Sequence, residues 1–334
     1  MIGALASASS SQPNGIRPVN LSTDLAPLAD LMELVFKDSM DSSSYAALRE
    51  MRYLSRLGVG MHLISRLNAM TTGIGMGYVW IEDGRLVGNV SIYPADWPQD
   101  MGYTFIIANV GTHPDFQNRG IATRLMQTSL DAISERGGSR AILQVNYDNR
   151  TARQLYRKLG FAEERAWTTW RRGAYASIPS PLEADLFIRR RRRSEWREEM
   201  ALAARIRPQA RGGLGWQRPL HKRLFQPPLW HTLLNWLNLR ATERLVVRDP
   251  RMDSLGAALW TEHQIANRTR LTLLNDPEAI PILAEALISN ISRRHMRTPL
   301  EMEHPADDAR MNDLLPRYNF RPLRTLMHMH WQAK

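Results

Sequence analysis

Apolar residues return along this chain in two rhythms, every third or fourth position in some stretches and every second position, or continuously, in others. Residues 16–20 read as a short strand. Ser22, Thr23 and Asp24 then offer a cap, and Leu25, Leu28, Leu31, Met32, Val35 and Phe36 mark one face of a helix. A second helix is predicted over 45–57. Strand-like runs at 78–81 and 85–93 flank Glu82-Asp83-Gly84, and Asp-Gly between strands signals a hairpin. The run 103–112 is apolar on both faces, as a central strand would be. After a polar loop, Ile121, Leu125, Met126, Leu130 and Ile133 line a helix that Gly137-Gly138 stops. A strand over 141–146, a helix over 149–159 and a strand over 166–172 follow.

The second half repeats this outline. A strand at 186–190 and a helix at 195–206 precede paired strands at 244–248 and 255–261. A strand at 271–274 leads into an apolar helix over 279–291. A strand at 300–303, a helix ending near Tyr318 and a strand ending near Trp331 close the chain. An internal duplication accounts for that order. The predicted class is α/β (α+β), with a flexible tail over 1–15, one domain over 16–173, a Ser- and Pro-rich linker over 174–182 and a second domain over 183–334.

Composition narrows the chemistry. The 334 residues are 43% hydrophobic, enough for two ordinary cores. No run of about 18 apolar residues suggests a membrane span, and the first residues lack the pattern of a signal peptide. With no cysteine in the chain, thiol nucleophiles, disulfides and thiolate zinc sites are excluded. No metal site is expected, and a cytoplasmic location fits. Most of the net charge of +11 falls after residue 180, largely as arginine. That surplus keeps nucleic acid open as a partner, although arginine-rich codon usage explains it equally well. The Arg189–Arg193 run reads as a solvated strand edge or as an anion-binding patch.

The strand ending at Thr112 feeds a loop, His113-Pro114-Asp115-Phe116-Gln117-Asn118-Arg119-Gly120-Ile121-Ala122, and then a helix. A helix start presents unpaired N–H groups and the positive end of the dipole, so anions bind there. Gly120 admits a close approach, and Arg119 adds a positive charge. The loop lacks the Gly-Lys-Ser/Thr of a nucleotide triphosphate loop and the Gly-x-Gly-x-x-Gly of a dinucleotide site. Alone, Gln-x-x-Gly-x-Ala serves as readily as a structural turn.

A second cluster lies downstream, Asn149-x-x-Ala152-x-x-Leu155-Tyr156-x-Lys158-x-Gly160-Phe161. With the loop and the element order of 16–172, it resembles the GNAT superfamily of N-acetyltransferases, Ala122 standing where that family often has glycine. The resemblance implies two tandem GNAT-like domains, each a mixed, mostly antiparallel twisted sheet flanked by helices. It implies acetyl-CoA as co-substrate, an amine-bearing small molecule or peptide as acceptor, and direct transfer in a ternary complex. Backbone N–H groups of Val110 and Thr112 would hold the acyl carbonyl and pantetheine arm. The backbone of Gln117, Asn118, Arg119, Gly120, Ile121 and Ala122 would hold the pyrophosphate, with a hydroxyl from Thr123. Asn149 would contact the CoA arm, and Tyr156 would act as general acid on the departing thiolate, with its pKa at the unperturbed value near 10.

No general base is legible, since 103–110 contains no carboxylate; Asp96, Asp100 and His113 are candidates, as is water. The Met-rich stretch 38–76, with Met51, Met61, Met70 and Met76, is either an acceptor wall or core filler. In the second half the signature fails: Leu315 stands for Tyr156, Asp308 for Asn149 and Met311 for Ala152. Asn275-Asp276-Pro277-Glu278 replaces the loop, placing two carboxylates where a diphosphate would sit. This domain reads as degenerate. A silent CoA-binding scaffold and a tRNA-dependent aminoacyl transferase are the alternatives. The oligomeric state is not legible.

Overall fold

The structure, a computed structural model, describes residues 14–40, 42–56, 77–182, 186–227, 240–252, 254–264 and 268–333. These pack as two compact units. One comprises the described parts of Met1–Leu143, Thr151–Ala162 and His330–Lys334, the other those of Gln144–Arg150 and Glu163–Met329.

The first unit runs β1 (Gly15–Pro18), α1 (Leu21–Phe36), α2 (Ser42–Ser55), β2 (Gly77–Glu82), β3 (Arg85–Pro94), β4 (Thr104–Thr112), α3 (Ile121–Glu135), β5 (Arg140–Asn146) and α4 (Arg150–Lys158). Its strands lie in the order β1-β2-β3-β4-β5, antiparallel except for β4 beside β5. Asp83 and Gly84 both take positive φ, 48° and 75°, as the tight hairpin between β2 and β3 requires. The cap of α1 is Asn20, whose side chain accepts from Ser22 N at 3.0 Å. Of the Ser22–Asp24 cap expected from sequence only Asp24 contributes, its buried carboxylate accepting from Asn20 N at 2.7 Å while pairing with Arg17.

Two glycines set the helices close to the sheet. A Cβ on Gly88 would stand 2.8 Å from Ile121 Cγ2, so its absence admits the first turn of α3 against β3. A Cβ on Gly111 would meet Val35 of α1 at 3.2 Å. Gly88 pairs with Thr112, the neighbour of Gly111, so the two contacts fall on opposite faces. The end of β4 is thereby held between α1 and the start of α3. Met51 packs against the Leu21 and Leu25 cluster as core filler. Met61, Met70 and Met76 lie outside the described residues.

The second unit runs β6 (Ala162–Arg172), β7 (Arg189–Arg190), α5 (Trp196–Ile206), α6 (Lys222–Phe225), β8 (Arg240–Asp249), β9 (Ser254–Gln264), β10 (Thr269–Asn275), α7 (Ile282–Arg294), β11 (Leu300–Pro305), α8 (Ala309–Arg317) and β12 (Arg321–Gln332). Its sheet order is β12-β6-β11-β10-β9-β8-β7, with β10 parallel to β11 and β6 antiparallel to β11. Leu259, Leu273, Leu287, Met302, Leu315 and Phe320 close its main core. Residues 174–182 form no helix or strand but are fastened, with Tyr175 N donating to Met296 O at 2.7 Å and Asn319 Nδ2 donating to Ser177 O at 3.0 Å.

Each of the first three residues of the basic run at the edge of this sheet is paired with a glutamate, although Arg190 stays exposed to solvent. Arg189 pairs with Glu195 at 2.5 Å, Arg190 with Glu243 at 2.7 Å and Arg191 with the buried Glu199 at 3.0 Å. The carboxylates come from the following turn, β8 and α5, and the strand expected over 186–190 is two residues long, paired with Leu245 and Val246 of β8.

Candidate functional site

β4 and β5 pair in parallel only from Thr104↔Arg140 to Ile106↔Ile142. β4 then continues to Thr112 with no β5 partner, so a gap opens between the two strands. On its other side β4 follows β3, and there the register slips. Asn89 faces Gly111 but Ser91 faces Ala108, so Asn109 and Val110 together oppose Val90. Two residues against one make a β-bulge. Its pivot is Asn109, with φ of 53°, a left-handed conformation that Asn adopts more readily than most residues. The bulge sets Val110 beside the level where the gap has opened. Thr112 Oγ1 is buried and has no protein partner among the described residues.

The loop beyond β4 is built to expose backbone amides. His113 N donates to Val87 O at 2.8 Å, and its ring Nδ1 accepts from Asp115 N at 3.3 Å, capping a short turn over Pro114–Phe116. That structural use accounts for His113. Gln117 Nε2 donates to Thr112 O at 3.3 Å and ties the loop to the strand end. Asn118 and Gly120 take positive φ, 61° and 76°. Arg124 N closes onto Gly120 O at 3.0 Å. The amides of Ile121, Ala122 and Thr123 therefore have no acceptor within the helix. A Cβ placed on Gly120 would meet nothing within 4 Å, so the mouth of α3 is open. Arg119 lies over the Phe116 ring at 4.9 Å, and Arg124 over the Trp80 ring at 5.6 Å. Both guanidinium groups are exposed beside the mouth. Arg124 escaped the sequence reading, although its place one turn into the helix was visible. An open helix mouth flanked by two cations fits a diphosphate by charge and by hydrogen-bond donors.

Tyr156 projects from α4 and is 6% exposed. Its ring tilts against Phe161 at 5.9 Å, and Phe161 N donates back to Tyr156 O at 3.0 Å across the Gly160 turn. Burial pushes the phenol up to about 12, above the unperturbed value assumed from sequence. Asn149 precedes α4 and belongs to the second unit; its N–H donates to Asn146 O at 3.0 Å. Asp96 and Asp100 are exposed in the β3–β4 connection. They stand at the end of β4 opposite the bulge, so neither is placed to take a proton beside Val110.

The corresponding place in the second unit is filled by the protein itself. β10 and β11 also pair for three residues, Thr269↔Leu300 to Leu271↔Met302, and then part. β10 runs in unbroken register with β9, so it has no bulge. Between the parted strands lies the buried Arg207, donating to Leu273 O at 2.5 Å and to His304 Nδ1 at 3.1 Å. His304 Nε2 in turn donates to Asp308 at 2.9 Å. The turn before α7 is closed as well: Glu278 N donates to Asp276 Oδ1 at 3.1 Å and Ile280 N to Asp249 Oδ2 at 3.0 Å. Of the two carboxylates expected to repel a diphosphate here, Glu278 is exposed, whereas Asp276 is buried and paired with Arg205, and with Asp249 it accepts from amides of this turn.

Burial of His304 beside Arg207 lowers its pKa to about 4, with Asp308 opposing the shift. An unfolded histidine titrates near 6.5, so its contribution is fully present above that pH and is lost as pH falls toward 4. Stability at pH 5 should be lower than at pH 7 by about 2 kcal/mol from this group. Thermal melts of the wild type and His304→Gln across this range check it; an equal slope in both would remove His304 as the cause.

A sequence model of the Acetyltransferase (GNAT) family matches residues 48–161. Over 84 residues, 25% of the chain, the sequence is 32% identical to N-alpha-acetyltransferase 30 of Schizosaccharomyces pombe, covering 55% of that protein. Over 83 residues it is 28% identical to the uncharacterized N-acetyltransferase YhfO of Bacillus subtilis, covering 56% of it. The match thus spans about half the length of these relatives. Among solved structures, a GCN5-related N-acetyltransferase from Sphaerobacter thermophilus superposes with a TM-score of 0.58 at 14% identity, over 95% of both chains. That likeness shows a shared fold over nearly the whole chain. The GNAT family match covers residues 48–161, and the segment carrying the open helix mouth lies within it.

Proposed function

We propose that the chain is an acetyl-CoA-dependent N-acetyltransferase whose working site lies in the first unit. The observation that carries this reading is the coincidence, on one strand, of the β4–β5 gap, the bulge at Asn109 and the open mouth of α3. Gln117 to Thr123 would hold the diphosphate through backbone amides, helped by Arg119 and Arg124. Thr112 would hold the pantetheine arm. Acetyl-CoA supplies the acyl group as a thioester.

Val110 N–H would stabilise the negative charge that develops on the acyl oxygen. Tyr156 would donate a hydrogen bond to the leaving sulfur and pass its proton as the C–S bond breaks. The acceptor amine attacks in its neutral form, since an ammonium has no lone pair. With no cysteine in the chain, transfer is assigned as direct attack in a ternary complex. The acceptor is an amine on a small molecule or peptide.

Incubating the purified full chain with acetyl-CoA and a panel of peptides and small amines, while monitoring free thiol, tests this function. Amine-dependent thiol release is expected. CoA binding without release for any amine would favour the silent scaffold.

A further inference from the structure

Asn89 and Ser91 are polar, 1% and 5% exposed, and set in an apolar part of β3 among Val87, Val90 and Ile92. Buried amides in such a place need a reason, because unpaired polar groups there cost stability. The partners of Asn89 Nδ2 and Ser91 Oγ lie at the bulge, while Asn89 Oδ1 is buried without a partner among the described residues. Asn89 Nδ2 donates to Asn109 O at 2.9 Å and Asn109 Nδ2 donates to Ser91 Oγ at 3.2 Å. Asn89 Nδ2 also reaches Ser91 Oγ at 3.3 Å. The bulge takes the Asn109 carbonyl out of the regular ladder, and Asn89 supplies the donor it loses. Ser91 then fixes the Asn109 side chain. Asn109 itself supplies the left-handed φ. A conformation that is sparsely populated for most residues is thus held from three directions.

We propose that Asn89, Ser91 and Asn109 are positioning residues that lock the β4 bulge, so that the Val110 N–H is already aimed at the acyl oxygen when acetyl-CoA arrives. This rests on the acetyltransferase reading above. Preorganised donors stabilise developing charge without reorganising during the reaction. None of the three side chains need touch the substrate. Their effect is felt at the acyl carbonyl and not at the diphosphate, which is held by α3.

The test uses the full chain with Asn109→Gly, Asn109→Val, Asn89→Ala and Ser91→Ala. Calorimetry with acetyl-CoA and with CoA needs no knowledge of the acceptor. Wild type should prefer acetyl-CoA by about three- to tenfold, the effect of one added hydrogen bond. Asn109→Val and Asn89→Ala should erase that preference while CoA affinity stays within about twofold, since the α3 contacts are untouched. With an acceptor in hand, their kcat should fall about 100-fold with little change in KM for acetyl-CoA. Asn109→Gly, which takes positive φ without strain, should keep both properties within about threefold. Ser91→Ala should fall between these limits and, with Asn89→Ala, serves if Asn109→Val does not fold. Wild-type preference and turnover in Asn89→Ala and Asn109→Val, or equal losses in Asn109→Gly and Asn109→Val, would overturn the inference alone. Absence of CoA binding by wild type would overturn the acetyltransferase reading first, and this proposal with it.

Discussion

Gly120→Glu is expected to abolish CoA binding in calorimetry, with an affinity loss of more than about 100-fold. Two effects add. At φ of 76°, a side chain strains the backbone by about 1–2 kcal/mol. A carboxylate at the helix mouth then faces the diphosphate, where two unit charges about 4 Å apart repel by about 4 kcal/mol at an effective dielectric of 20. Gly120→Ala separates the two. A Cβ at that position meets no atom within 4 Å, so alanine carries the strain without the charge and should weaken binding far less. If glutamate binds CoA as well as glycine does, the anion is not at this helix start.

Tyr156→Phe should do the reverse, leaving CoA affinity within about threefold while kcat falls about 100-fold, at the lower end of the range for losing a proton donor. The ring stays to fill its place against Phe161. Burial holds the phenol near 12, so it remains protonated throughout any working pH. Its folded value lies above the unfolded value near 10, so the stabilisation is fully present below pH 10 and is lost as pH rises through 12. Near neutrality Tyr156 therefore adds no slope to the pH–rate profile. The rise with pH should report loss of the proton from the acceptor ammonium, and it should persist unchanged in Tyr156→Phe. A free thiol titrates near 8.5, below this phenol, so transfer from Tyr156 to the departing sulfur is uphill by itself; the proton shed by the acylated nitrogen returns to the phenolate, leaving free thiol, amide and Tyr156 unchanged. Full-speed turnover by Tyr156→Phe, measured as thiol release, would end the acid assignment.

Much of this site was legible because its signals are local. Asp83-Gly84 announces its turn by the φ values it can adopt, and the Gln117–Ala122 loop carries the mark of a helix start. The periodicity of Leu125, Leu130 and Ile133 predicts a helix over 120–136, within a residue of α3 at each end. The bulge was missed because an Asn inside the apolar run 104–112 signals it only weakly, and register is a property of two strands. Thr112 and Val110 were placed by resemblance, but Asn109, which turns the strand between β3 and the gap, was not. Arg207 was illegible for a stronger reason. Its partners, Leu273 and His304, are 66 and 97 residues away in sequence, and no local pattern marks a guanidinium that will fill a gap between strands. The tyrosine pKa failed likewise, since burial is set by the packed unit and not by the motif.

Hydrogen exchange of the full chain with and without CoA tests the central claim most directly, because it reports which amides the diphosphate covers. Bound CoA should slow exchange at 117–124, and 276–284 should be unchanged because Asp249 and Asp276 already occupy amides there. Protection at 276–284 with none at 117–124, or no protection at either stretch, would contradict a diphosphate seated on the first helix mouth.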